Sequence, residues 1–249
     1  MNIGIDVGGT NLRAGAVDEE GRLQAKVSVP VGHVESPEAL VRRLAELARQ
    51  AAREAGTPEG EIRSVGVGIP GAVAEGKILY TCNLPLQDVA FEKLFRAGFN
   101  RPVYLENDAN CAALAEYWAG AGKGCHSLIV VTLGTGVGAG IVLGGKLLRG
   151  INGTAGEAGH MVVEPDGVPC RCGRRGCWEA CCSATALIRR TREPMAAHPE
   201  SLLNRGAAQE SWSRSAAGVP FRWLGNAVMK RRRQYAGAMC AIWRWEWSI

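Results

Sequence analysis

The chain has 249 residues, 47% of them apolar, and a formal net charge of +5. That length allows one large domain or two small ones with a real core, and the lack of any run of eighteen apolar residues excludes a transmembrane helix. The charge does not point to nucleic acid: residues 211–249 carry seven Lys/Arg against one acid and the rest carry 22 against 23, so the basic excess belongs to the tail.

The opening residues, Met1-Asn2-Ile3-Gly4, lack the basic and long apolar regions of a signal peptide. A cytoplasmic protein is therefore expected. In that setting nine cysteines read as thiols or metal ligands rather than disulfides. Cys82, Cys111, Cys125 and Cys240 are scattered and read as small buried hydrophobes.

In chain order, 2–7 is a short apolar strand with Asp6 near its end. Gly8-Gly9-Thr10 turns the chain into a second strand over 11–17. Asp18-Glu19-Glu20-Gly21 turns it again, and 23–29 alternates like a third strand. Ser36 as N-cap and Pro37 at the first helical position open a helix. Leu40, Leu44, Leu47 and Ala51 carry it to about Ala55, where Gly56-Thr57-Pro58 stops it. A strand over 62–69 ends at Pro70-Gly71, and 91–95 is a short helix. A strand over 103–106 runs into Asn107-Asp108 and a helix over 109–118, and 120–124 is a glycine-rich joint. Residues 127–133 form an apolar strand, Gly134-Thr135-Gly136 turns, 137–143 returns, and Gly144-Gly145 leads into a third strand at 146–148. A helix is expected from Glu179 to about Arg192. No strand–turn–helix unit emerges beyond Glu210, where five of the seven tryptophans are interleaved with Lys230-Arg231-Arg232-Arg233.

The pattern over 129–143 repeats that over 3–17: strand, Gly/Thr turn, strand, and in each copy a second turn into a third strand. Two such units about 125 residues apart suggest a duplicated α/β architecture with two hairpins facing one cleft.

Four constellations carry chemistry. In the first hairpin, Gly8 and Gly9 let backbone N–H groups approach a phosphate and Thr10 adds a hydroxyl donor. Asp6 can hold Mg²⁺ directly or through water, or merely bond its own turn. In the second hairpin, Gly134-Thr135-Gly136-Val137-Gly138-Ala139 fits a dinucleotide fingerprint, but a strand follows where that motif requires a helix. Gly140 to Lys146 fits a Walker A spacing, but Leu147 stands where a metal-binding Ser or Thr is needed. Glu106-Asn107-Asp108 ends a strand and opens a helix. A carboxylate there can accept a proton from a hydroxyl, and Asn107 can both donate to and accept from a sugar; the alternative is that Asn107 or Asp108 simply caps the helix. Finally, His160, Cys170, Cys172 and Cys177 lie within eighteen residues, bracketed by Glu157 and Glu179, and suit a closed tetrahedral Cys₃His zinc site. Cys181 and Cys182 follow closely enough to compete for the metal.

Together Asp6-Val7-Gly8-Gly9-Thr10-Asn11, Glu106-Asn107-Asp108-Ala109-Asn110, Leu133-Gly134-Thr135-Gly136-Val137-Gly138, Gly156-Glu157-Ala158-Gly159-His160 and Cys170-x-Cys172-Gly173-x-x-Gly176-Cys177-x-Glu179 occur in this order. Over residues 1 to about 192 the chain closely resembles the ROK family of sugar kinases, particularly its bacterial glucokinases. The resemblance implies an actin-like ATPase fold, ribonuclease-H-like, of duplicated α/β domains with a cleft between them. It implies phosphorylation of a hexose, glucose foremost, at its 6-hydroxyl by ATP with Mg²⁺. Asp108 would be the base. Asn107, Glu157, His160 and Glu179 would bind the sugar, with Asn83 and Gly71 lining that pocket. Asp6 would organise Mg²⁺, with Gly8, Gly9, Thr10, Asn11, Gly134, Thr135 and Gly136 around the phosphates. His160, Cys170, Cys172 and Cys177 would hold structural Zn²⁺.

The expected division is a small N-terminal domain over 1–108, a larger but incomplete one over 109–210 and an atypical basic, Trp-rich tail over 211–249. The tail lacks the helices and Gly-rich segment with which the family continues, so the alternative to a hexokinase is a sugar-binding remnant without an adenine subsite. Kinases for N-acetylmannosamine or fructose share much of the pattern. The partners expected are the sugar and ATP, with no nucleic acid and no membrane; a homodimer is left open. A repressor of the same family would need a helix-turn-helix domain ahead of a hairpin that here begins at residue 6.

Overall fold

The computed structural model describes residues 1–81, 84–200 and 204. The chain falls into two compact units, one comprising Met1–Val131 with Ala139–Glu157, the other Thr132–Gly138 with the chain from Ala158 onward.

The first unit is built on a five-stranded sheet in the order β3-β2-β1-β4-β8: β1 (Asn2–Val7), β2 (Asn11–Val17), β3 (Leu23–Pro30), β4 (Ser64–Ile69) and β8 (Val103–Asn107). The first three strands are antiparallel neighbours; β4 and β8 add in parallel. Strand alternation sets the faces. Ile3, Ile5 and Val7 of β1 and Leu12, Ala14 and Ala16 of β2 are buried, while Gly4 and Asp6 point out. α1 (Pro37–Glu54) lies over the buried face and packs Leu40, Leu44 and Leu47 into it. Ser36 caps it, its Oγ accepting from the Ala39 N–H at 3.1 Å.

α2 (Phe91–Phe99) runs a full turn beyond the expected end at Phe95. Phe91, Phe95 and Phe99 recur every four residues, meet in tilted and edge-to-face pairs with centroids 5.9 and 5.7 Å apart and are buried; burial of each stabilises by roughly 1.5–3 kcal/mol. Asn100, in the left-handed region at φ 46°, ends the helix. α3 (Asp108–Trp118) follows β8 directly. The strand expected over 62–69 starts only at Ser64, because a 3₁₀ turn over Glu59–Glu61 precedes it.

A three-stranded antiparallel sheet, β5 (Ala72–Ala74), β6 (Lys77–Tyr80) and β7 (Gln87–Val89), was not anticipated. Its strands are too short to show a period. The turn between the first two is nevertheless a regular two-residue hairpin, with Glu75 and Gly76 both at positive φ.

The predicted repeat is present. β9 (Leu128–Leu133), β10 (Val137–Leu143) and β11 (Lys146–Leu147) form a sheet in the order β11-β10-β9. In the second unit, the single helix expected from Glu179 is two: α4 (Trp178–Cys182) and α5 (Ala184–Ala197). Ser183 breaks it, because its Oγ accepts from the Ala186 N–H at 3.1 Å and caps α5 instead of continuing α4. Among the described residues no helix is long and apolar enough to cross a membrane.

Candidate functional site

The expected site residues fall into two groups, one in each unit. In the first unit, β1 and β8 bring their C-terminal ends to the same side of the sheet. Asp6 pairs in register with Gly68 of β4, and Gly68 with Glu106 of β8. Asp6 is solvent-facing and ion-paired with Arg13, directly across the hairpin on β2, at 3.2 Å. The turn closes with the Gly8 N–H donating to the Asn11 carbonyl at 3.0 Å; a side chain at Gly8 would meet that oxygen at 2.8 Å. Gly9 and Thr10 are exposed, with open space around Gly9.

Asn107 is the N-cap of α3. Its Oδ1 accepts from the Asn110 N–H at 3.1 Å and its amide donates to the Gly71 carbonyl at 3.0 Å. Capping and pocket formation, set against each other in the sequence, are thus combined in one side chain that retains a second amide hydrogen. Gly71 is a genuine glycine site: at φ 115° an added Cβ would lie 2.3 Å from the Tyr80 carbonyl oxygen. Asp108 is the first residue of α3, its Oδ1 accepting from the Ala109 N–H at 2.8 Å. The carboxylate is open to solvent but ringed by protein. That desolvation, with the charge of Asp6 added, holds it above the usual aspartate range. Burial and the nearby carboxylates of Glu106, Asp108 and Asp6 push the Cys111 thiol up to about 12, so it stays neutral and only packs.

Three residues around this group were given no role of their own from sequence. Glu106, 13% exposed, accepts from the Asn107 N–H and the Asn110 amide, each at 3.0 Å, and from Arg149 Nε at 2.7 Å. Arg149 lies 43 residues away, beyond the reach of any local pattern. The buried Oδ1 of Asn110 has no hydrogen-bond partner among the described residues. Glu157 closes the first unit, half-buried, its N–H donating to the Thr154 carbonyl at 3.3 Å. Gly156 before it has no room for a side chain, which would sit 2.2 Å from the Ala139 carbonyl oxygen of β10.

In the second unit, the turn Gly134-Thr135-Gly136 closes by a Gly134 N–H bond to the Gly136 carbonyl at 2.9 Å. The start of α5 clamps it: the Ala184 N–H donates to the Gly134 carbonyl at 2.9 Å and the Thr185 hydroxyl to the Thr135 carbonyl at 2.8 Å. Glu179 of α4 lies against the same turn, Oε2 accepting from the Val137 N–H at 3.0 Å. A Cβ on Gly136 would meet that oxygen at 2.2 Å. The structure therefore joins two features the sequence kept apart, the second hairpin and the acidic end of the cysteine cluster.

His160, Cys170, Cys172 and Cys177 converge, with their ligand atoms all within 4.8 Å of one another. Cys172 and Cys177 sulfurs are 3.6 Å apart and Cys170 Sγ is 3.7 Å from His160 Nδ1. Tetrahedral zinc with bonds of about 2.3 Å to sulfur places two sulfurs about 3.8 Å apart, so the set fits that metal. Burial and the adjacent thiols push Cys177 up to about 12, a crowding that a bound divalent cation relieves. Cys181 is not part of the cluster; its thiol faces Glu164 at 3.6 Å. Of the remaining expected residues, Asn83 and the tail over 211–249 lie outside the described residues.

The chain is 41% identical over 202 residues to a glucokinase of Streptomyces coelicolor, covering 80% of this chain and 62% of that one. A Streptomyces griseus ROK family glucokinase, solved in complex with glucose and AMPPNP, superposes with a TM-score of 0.73 at 38% identity, covering 83% of this chain and 63% of its own. A ROK hexokinase from Thermus thermophilus gives 0.65 at 42% identity, with coverages of 78% and 64%. The chain thus spans somewhat under two thirds of the length of these relatives. The ROK family pattern matches residues 2–231, and with the actin-like α/β architecture and the ordered motifs in place, this chain belongs to the ROK family.

Proposed function

We propose that this chain carries out ATP-dependent phosphorylation of a hexose at its 6-hydroxyl, with glucose as the first substrate. The observation that carries the reading is Asp108: a solvent-reachable carboxylate at the first turn of α3, raised in pKa, coupled to Asp6 of the DxGGT hairpin and set beside the Asn107–Gly71 contact. A carboxylate moved up towards the working pH is a stronger base. As the sugar oxygen attacks the γ-phosphorus, its proton passes to Asp108, the bond to the bridging oxygen breaks and ADP departs. Asn107 offers its remaining amide hydrogen to a sugar hydroxyl, and Glu157, Glu179 and His160 are the further sugar contacts. Gly8, Gly9, Thr10 and Asn11, with Gly134, Thr135 and Gly136, are the residues around the phosphates, where the exposed Gly9 and Thr10 offer backbone and hydroxyl donors. Mg²⁺ supplies charge neutralisation on those phosphates, and Asp6 is the residue that would hold it, exchanging its Arg13 partner for the ion or its waters. Similarity to glucokinases, one of them solved with glucose and AMPPNP, supports glucose over N-acetylmannosamine or fructose.

The cysteine cluster is read as a structural zinc site. Four protein ligands leave no open coordination position, so its role is to hold His160 and Glu179 in place. His160 Nδ1 lies 3.7 Å from Cys170 Sγ, so a His160 that holds the metal through Nδ1 would offer Nε2 to a sugar hydroxyl. We place the protein in the cytoplasm, where clustered thiols stay reduced and ATP is at hand.

A coupled ADP-release assay with glucose and Mg-ATP tests the reading. Turnover that disappears in Asp108→Asn supports it, and a rate equal in both proteins overturns it. One second reading is sugar binding without turnover. Calorimetric glucose binding with no nucleotide binding is the result that selects it.

A further inference from the structure

One residue ties down the loop that runs from β11 to Glu157. The Arg149 carbonyl accepts from the Ala155 N–H at 3.0 Å and closes 149–155 on itself. Gly150 and Gly153 supply the left-handed backbone that this closure needs, at φ 71° and 70°. The side chain of the same arginine leaves the loop and gives Nε to Glu106 Oε2 at 2.7 Å. Glu106 stands one residue before the end of β8, and its other oxygen accepts from the Asn107 N–H and the Asn110 amide, each at 3.0 Å. An ionised carboxylate only accepts, so Asn110 must present its amide nitrogen to Glu106. That turns Oδ1 towards Gly156, 3.4 Å from where a Cβ there would stand. The Asn110 N–H in turn donates to Asn107, whose amide holds the Gly71 carbonyl. A continuous run of bonds therefore joins the start of the loop to Asn107. Asp108 stands outside that run, since its Oδ1 accepts from the Ala109 N–H.

We infer that Glu106 and Arg149 are positioning residues for the sugar, an assignment that rests on the hexose-kinase reading above. Arg149 fastens the loop that ends in Glu157 to the strand end that carries Asn107. The two sugar contacts of the first unit are thereby held on one frame before the sugar arrives, and less ordering is left to be done on binding. An exposed ion pair would contribute little. Here the Glu106 side chain is only 13% exposed, so without the guanidinium a shielded charge is left with neutral donors alone. The pair acts on sugar affinity and not on proton transfer, because the base makes no bond to the network.

The test breaks the pair from either side, with Glu106→Gln, which keeps the shape, and Arg149→Met, which keeps most of the alkyl stem. Each single variant should raise KM for glucose about tenfold, the size of leaving one or two side chains to be ordered on binding, with kcat within about threefold of the parent. The double variant should be no worse than either single one, because both remove the same contact. In each, the Ala155 and Glu157 amides should exchange about tenfold faster. Arg53→Met, which breaks a surface pair with Glu46 on α1, should leave all of these unchanged. Should Glu106→Gln not fold, Arg149→Met decides by its KM and its loop exchange. Single effects that multiply in the double variant, a fall in kcat at unchanged KM, or parental KM and exchange in Arg149→Met would each overturn the inference. A parent chain that neither turns over nor binds glucose refutes the proposed function instead, and the exchange of the loop amides then decides whether the pair holds the loop.

Discussion

Replacing Asn107 by alanine removes two interactions at once, and the structure separates their sizes. Loss of the Oδ1 cap on the Asn110 N–H costs about 1 kcal/mol. Loss of the amide that donates to the half-buried Gly71 carbonyl costs about another 1 kcal/mol, as that oxygen loses its donor. Asn107→Ala should therefore lower the stability of the first unit by about 2 kcal/mol. Asn107→Asp keeps the capping acceptor but turns a carboxylate oxygen towards the Gly71 carbonyl in place of the donor and sets a second carboxylate beside Asp108, so it should not cost less than the alanine. Urea unfolding followed by circular dichroism reads both variants, and calorimetry with glucose on the same proteins reads the pocket. If Asn107→Ala unfolds within about 0.5 kcal/mol of the parent, in the range of an ordinary surface change, the amide is not structural and the combined role assigned to it is wrong.

Other outcomes follow from the same geometry. Asp108 holds its proton more tightly folded than unfolded, so its contribution to stability falls as pH rises from the ordinary aspartate range through its raised value. Asp108→Asn should then melt higher than the parent near pH ~7 and show no advantage near pH ~3; an equal gain at both would show that the carboxyl is not perturbed. A Cβ at Gly159 would lie 2.0 Å from the Val137 carbonyl oxygen, which is backbone and cannot rotate away. Gly159→Ala should destabilise by about 1–3 kcal/mol, whereas Gly4→Ala, with nothing within 4 Å, should change little in the same denaturation series. Metal analysis of freshly prepared protein should find about one zinc per chain, lost in the Cys172→Ser Cys177→Ser double variant; metal-free protein with an intact fold would refute a structural role for the cluster.

What the amino-acid sequence determined by itself was whatever rests on local chemistry. β1 and β2 were readable as short strands either side of a Gly/Thr turn, and their Ile, Val, Leu and Ala positions face one buried side. α1 was readable from its capping serine and leucine spacing. The glycine hairpins and the cysteine spacing are short-range patterns that the fold preserves without change. Tertiary structure decided the rest, because the interactions concerned have no period. β5 to β7 are held by cross-strand bonds between segments too short to alternate. Gly156 and Gly159 are required by carbonyls of β10 that approach through space. Glu106 meets Arg149, and Glu179 meets the Val137 N–H, across 43 and 42 residues respectively. Asp108 could be named from its motif, but its raised pKa could not, since that depends on how far its neighbours strip it of water and on Asp6, carried by a strand two places away in the sheet.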